Sequence, residues 1–291
     1  MTGRDHHTDY DEAATDRCER ALITLLGDVG PWNERIYLVG GLAPRYLVGR
    51  LPEDAAPHVG TTDVDLVIGI AIPADAEEAY RTLHTNLRRS GFAQGTPSFA
   101  WTREVDGAIV KFEFMCETDA VDPGSIFRPK SGTGTGMAAF NVRGALLAAD
   151  DFIEVELEGE RLDRGGRSRV ALRVANVLPY LVLKVLAFQD RHENKDAYDL
   201  VFTLLHAEGG PAAAGGRAAS SPVVDHPQVV SALTLAVQRF ATPDMDGPAA
   251  YAAFLAGGDD EEAARNRQQA VATVTAFISE FDDARRTGSG P

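Results

Sequence analysis

The sequence predicts an α+β protein, with a mixed sheet flanked by helices over residues 1–175 and a helical region over 176–291. Three observations predict it. Strand-like runs alternate with amphipathic stretches as far as Arg173, Gly-containing turns separate those runs, and apolar residues recur at helical spacing from Val177 onward. A chain of 291 residues with 44% hydrophobic content can also bury a sizeable core, in one large domain or two ordinary ones.

The elements follow in order. The first ten residues are polar and expected to fray. From Asp11 to Leu26, Ala14, Cys18, Ala21, Leu22, Leu25 and Leu26 recur on one helical face. Ile36 to Val39 is an apolar run ending in Gly40-Gly41; Leu42 to Val48 starts a helix, and Leu51 to Gly60 is a Pro-containing loop. Val64 to Ile70 reads as a strand and Asp75 to Ser90 as a helix. Phe99 to Arg103 and Ala108 to Met115 are strands joined by a turn at Asp106-Gly107. Asp122 to Gly136, rich in Gly, Pro and Ser, is expected to be a loop, and its Gly132–Gly136 run lacks the strand and helix that a phosphate loop needs. Ile153 to Leu157 and Ser168 to Val174 are strands around a turn at Gly165-Gly166. Val177 to Gln189 and Lys195 to His206 are apolar helices joined by the polar turn Asp190 to Asn194. Glu208 to Ser221 is low-complexity and expected to be a flexible excursion, and His226 to Arg286 returns to Ala-rich helical patterns.

The net charge of −15 argues against a broad basic face for duplex DNA, so a nucleic-acid partner would need a local patch. Residues 121–200 are the least acidic part. They contain Arg128, Lys130 and the run Arg161, Arg164, Arg167, Arg169 and Arg173, opposed within that run only by Asp163. Such a run is either a solvated hairpin edge or a phosphate contact. Two cysteines, Cys18 and Cys116, make no disulfide framework and suit a reducing compartment. The opening segment lacks a charged n-region with an apolar h-region, and no apolar stretch approaches about 18 residues. A soluble, cytoplasmic protein without a membrane partner is expected.

The chemistry concentrates in Tyr37-Leu38-Val39-Gly40-Gly41 and, after a loop, Gly60-Thr61-Thr62-Asp63-Val64-Asp65. Residues two apart on a strand face one side, so Asp63 and Asp65 project together and repel unless a cation lies between them. Oxygen ligands at this spacing suit Mg²⁺ (or Mn²⁺), which takes one or two carboxylates and completes its shell with substrate phosphates. Gly40 and Gly41, between a strand and a helix, would let the backbone approach a phosphate, with the Thr61 and Thr62 hydroxyls beside it. On the strand Val110-Lys111-Phe112-Glu113-Phe114, Lys111 and Glu113 share one face and the apolar residues the other. Lys184 stands on a helix that is apolar almost all round, where a lysine must snorkel or meet an anion. Asp199 near the start of the next helix could face it, and Asp196 suits the first helical turn.

Gly-Gly, loop, Gly-Thr-Thr-Asp-x-Asp resembles the first motif of the DNA polymerase β-type nucleotidyltransferase superfamily. That resemblance implies a nucleotidyltransferase-type sheet and a third carboxylate on a neighbouring strand, the place of Glu113, where the superfamily more often has Asp. The later pattern Lys184-x2-Ala187-x3-Arg191-x3-Lys195-Asp196-x2-Asp199-Leu200 resembles the AbiEii family of abortive-infection toxins, including the MenT-type toxins. The resemblance runs from about Tyr37 to Leu205; beyond that only the helical character matches. It implies a toxin of a toxin–antitoxin pair that transfers nucleotides from an NTP to an RNA, the tRNA 3′ end in MenT-type members, so blocking translation. Carried over, Asp63, Asp65 and Glu113 would hold the metal and Gly40, Gly41, Thr61 and Thr62 would border the phosphates. Lys184 would bind the triphosphate, and Asp199 would be a further acidic site residue. The partners implied are an NTP, tRNA and a cognate antitoxin. The family often has Ser where Thr61 stands, which keeps the hydroxyl. Rival readings are a small-molecule nucleotidyltransferase of the antibiotic-modifying kind, nucleotide transfer to a protein hydroxyl, and a non-catalytic nucleotide- or partner-binding regulator.

Overall fold

The structure, a computed structural model, describes residues 6–53, 55–68, 77–128, 136–162, 165–256 and 259–288. Their contacts divide the chain into two units. One consists of Asp11–Ala43 and Gly60–Ala175; the other joins the residues up to Tyr10 and Pro44–Val59 to everything from Asn176 onward. The chain therefore crosses between units near Tyr10, Ala43, Val59 and Ala175.

In the first unit, the Ala14 amide donates to the Asp11 side chain (2.5 Å) and starts helix α1, Glu12–Asp28. Its predicted apolar face is buried, from Ala14 through Cys18, Leu22 and Leu25. Strand β1 is Ile36–Val39; the chain leaves for α2, Pro44–Leu47, in the other unit, and returns as β2, Asp63–Ile68. Helix α3, Glu77–Arg89, precedes β3 (Ala93–Gln94), β4 (Ala100–Val105) and β5 (Ala108–Cys116). Then come β6 (Ile126–Phe127), β7 (Ala139–Asn141), α4 (Leu147–Asp150), β8 (Phe152–Glu160) and β9 (Arg167–Ala175). The main strand order is β3-β4-β5-β2-β1-β9-β8, with β7 pairing β5 and β6. Strand β2 runs antiparallel to β1 and parallel to β5, and β1 runs parallel to β9, so the sheet is mixed as expected. Val64, Leu66, Phe112 and Phe114 fill its core face. Within the segment expected to be a loop, Ile126–Phe127 forms a short strand with β7; the rest of the Gly-rich run, 129–135, lies outside the described residues.

The second unit is helical. Helix α5, Val177–Arg191, ends where His192 takes a left-handed conformation (φ 52°), and α6, Asn194–His206, follows at once. Helices α7 (Gly210–Ala218), α8 (Pro227–Phe240), α9 (Asp246–Leu255) and α10 (Asp260–Gly288) complete it. Helix α7 corrects the expectation of a flexible excursion. Its alanines favour helix, and its glycines allow close packing: a Cβ on Gly215 would lie 2.2 Å from the Phe277 carbonyl oxygen of α10. Composition that looked like low complexity is a packing face. The N-terminal residues from His6 also depart from expectation, since the His7 ring contacts the Phe254 carbonyl (3.2 Å) and Tyr10 packs on the Phe254 ring. Among the described residues, no helix is long and apolar enough to cross a membrane.

Candidate active site

The carboxylates on β2 are held from both ends of their motif. Thr61 is buried at the strand's entry, where its amide donates to Thr15 Oγ1 of α1 (3.1 Å). Its own hydroxyl donates to Asp63 Oδ1 (2.8 Å) and so orients that carboxylate. Thr62 follows, half-buried. Val39 on β1 is in register with Asp65, which brings the next residue, Gly40, against the Asp65 side chain. Gly40 has a left-handed φ of +67°, and a Cβ there would lie 1.9 Å from Asp65 Oδ2. The sequence suggested that Gly40 makes room for a phosphate. In the structure it makes room for Asp65, while Gly41 is buried in the turn that follows.

Register adds two more charges. Asp63 pairs with Lys111 and Asp65 with Glu113 across the parallel β2–β5 ladder. Paired residues project to one face, so three carboxylates and one ammonium share a half-buried patch whose reverse side is core. Lys111 and Glu113 form an ion pair. Burial of Lys111 works against its charge, but Glu113 outweighs it, Asp63 and Asp65 add to the effect, and the ammonium is held above the usual lysine range. Among the described residues, no three His, Cys, Asp or Glu side chains converge as a ready-made metal cage. The same-face pair Asp63 and Asp65 fits a divalent cation by charge and donor type, while Glu113 is turned to Lys111.

The helical unit holds a second charged cluster. Lys184 Nζ donates to Asp199 Oδ2 (2.6 Å) and Asp196 Oδ1 (3.2 Å). Lys195 also reaches Asp199 (2.8 Å), Arg191 grips Asp196 (2.7 and 2.8 Å), and His58 Nε2 lies 2.9 Å from Asp199 Oδ1. The anion that the sequence argument sought for Lys184 is therefore supplied by the chain itself. Burial alone would lower the Lys184 ammonium, but Asp199, Tyr180 and Asp196 overcome it and hold it well above the lysine range. Burial would raise Asp199, yet Lys184, Lys195 and His58 keep it well below the carboxylate range; Asp196 is lowered likewise, by Lys184 and Arg191. His58, packed between the Tyr198 and Phe202 rings, is lowered by burial, only partly offset by Asp199. Sequence reading missed His58, Arg191 and Lys195 as members. The i,i+4 spacing of Lys195 and Asp199 was a usable signal, whereas nothing local marked His58.

The basic run takes the first of its two readings, a hairpin edge. Arg167 meets Glu158 (3.1 Å), Arg169 meets Glu156 and Glu158 (both 3.4 Å), and Arg173 meets Glu154 (3.4 Å). Arg161 pairs with Asp28, and Arg128 donates to Ser98 Oγ (2.7 Å). The opposing acids come from β8 across the hairpin and from α1, so the run is a ladder of exchanged charges. Arg164 and Lys130, the other expected phosphate contacts, lie outside the described residues, as does Asp163.

No protein-family model matches this chain, and no curated protein does. A crystal structure of an antigenic nucleotidyltransferase-like protein from Paracoccidioides brasiliensis is similar over 77% of this chain and 88% of that one, at 18% identity and a TM-score of 0.37.

Proposed function

We propose that this chain is a divalent-metal-dependent nucleotidyltransferase that transfers a nucleotide from an NTP to a hydroxyl acceptor and releases pyrophosphate. One observation carries the reading: two same-face carboxylates are pre-set at a strand entry, Asp63 by the Thr61 hydroxyl and Asp65 by the space that Gly40 leaves. Asp63 and Asp65 would hold Mg²⁺ or Mn²⁺, and Glu113 would join them on parting from Lys111. When bound, such an ion lowers the pKa of an acceptor hydroxyl and offsets charge on the departing pyrophosphate. Thr62 would border the phosphates. A triphosphate role for Lys184 would require it to exchange a carboxylate for a phosphate; Asp199 and Asp196 otherwise keep it in place.

The acceptor we propose is RNA, at the tRNA 3′ end, and the biological role that of a toxin held by an antitoxin. That part rests on the resemblance of the Lys184–Leu200 pattern to the AbiEii and MenT-type toxins. A second reading, a small hydroxylated acceptor, is favoured by the Glu–Arg ladder on β8 and β9, because paired arginines make a poor phosphate rim. The test is incubation with each labelled NTP, Mg²⁺ and total RNA. Label in the tRNA fraction is expected. Label in a small hydroxylated compound but not in RNA would establish the second reading, and no transfer to any acceptor would remove the activity altogether.

A further inference from the structure

The patch on β2 and β5 contains a residue that nucleotidyl transfer by itself does not require. Three carboxylates, Asp63, Asp65 and Glu113, share a face with the ammonium of Lys111, which pairs with Glu113. Without Lys111, Glu113 would lose the partner that turns it along its own strand. The register is what makes this specific. Lys111 stands beside Asp63 and Glu113 beside Asp65, so the ion pair runs along β5 parallel to the carboxylate pair on β2.

We infer that Lys111 is a built-in counter-ion of the carboxylate patch, a positioning residue that holds Glu113 and sets how tightly Asp63, Asp65 and Glu113 take a divalent cation. This rests on the reading of Asp63 and Asp65 as metal ligands. Before a cation is present, Lys111 offsets part of the repulsion among the three carboxylates. To join a cation, Glu113 must give up Lys111. Cation affinity is thereby lowered by the strength of the Lys111–Glu113 ion pair, which keeps the loaded and unloaded states closer in free energy than they would be with Glu113 released from it.

The experiment titrates Mn²⁺ into the full chain, followed by the electron paramagnetic resonance of free Mn²⁺, for wild type, Lys111→Met, Glu113→Gln and the double variant. Lys111→Met should bind Mn²⁺ roughly three- to tenfold more tightly, since one nearby positive charge and one competitor for Glu113 are gone. Glu113→Gln should bind more weakly. In the Glu113→Gln background the gain from Lys111→Met should shrink, which a purely structural lysine would not produce. The Lys111 side chain is 36% exposed, so the variant should fold; a cooperative thermal melt checks this, and Lys111→Gln serves if it does not. Unchanged or weaker Mn²⁺ binding in Lys111→Met overturns the counter-ion role and leaves the metal reading standing. Absence of Mn²⁺ binding in the wild type overturns the metal reading and this inference with it.

Discussion

The two charged clusters of this protein use the same side-chain chemistry to opposite effect. On the sheet, three carboxylates and one lysine share a half-buried face, and the lysine pairs with Glu113. In the helical unit, Lys184, Arg191 and Lys195 surround Asp196 and Asp199, both carboxylates are buried, and each makes at least two charge-assisted contacts. Burial explains the difference. A buried charge must be matched within the fold, because its desolvation is otherwise uncompensated, whereas a half-exposed patch can exchange a partner for water or a ligand. The helical cluster therefore reads first as structure, and under the proposed function the sheet patch is where the cation would sit.

Five substitutions can break or sharpen that contrast. The largest effect on activity should come from Asp63→Ala or Asp65→Ala, with transfer of labelled nucleotide falling by roughly a hundredfold or more, while the thermal midpoint stays level or rises as repulsion is relieved. Activity near wild type in both variants would end the metal reading. The largest effect on stability should come from Lys184→Met, at about 3–5 kcal/mol in urea unfolding, because two buried carboxylates lose a shared partner. Apolar neighbours alone would have made methionine look harmless there; Asp196 and Asp199 reverse that expectation. A cost under about 1 kcal/mol would mean that Arg191 and Lys195 suffice, and would reopen the triphosphate role.

Gly40→Ala should fall between these, costing about 1–3 kcal/mol for a strained backbone and weakening Mn²⁺ binding, since the new methyl must displace the Asp65 carboxylate. Unaltered Mn²⁺ affinity would show that Asp65 is not a ligand. The smallest effect concerns pH. His58 is lowered below 6.5 in the fold, so the neutral form is favoured there; its contribution is present above about pH 6.5 and is lost as the pH falls through the folded value. Thermal midpoints measured down from pH 7 should decline less steeply for His58→Gln than for wild type. Parallel curves would remove His58 from the ion cluster's energetics. The carboxylates Asp196 and Asp199, lowered in the fold, act further down, below about pH 4.

Much of the scaffold was legible because backbone periodicity is local. The period-2 alternation around Phe112 and Phe114 located β5, and the helical face from Ala14 to Leu25 located α1, each read from neighbours along the chain. The same-face pairing of Asp63 with Asp65, and of Lys111 with Glu113, follows from that periodicity too. Residues 208–221 were misread because alanine and glycine signal helix or disorder according to what packs on them, and the α10 backbone against Gly215 is remote in sequence.

By itself, then, the sequence determined the order of elements and the face on which each carboxylate stands. The tertiary structure alone decided which charges meet. Strand register set Lys111 beside Asp63 and Glu113 beside Asp65, hairpin register turned the arginines of β9 toward the glutamates of β8, and chain return brought His58 to Asp199. Each of those pairings joins residues on different elements, so it depends on how apolar faces bury one another across the core, a condition that no short stretch of sequence contains.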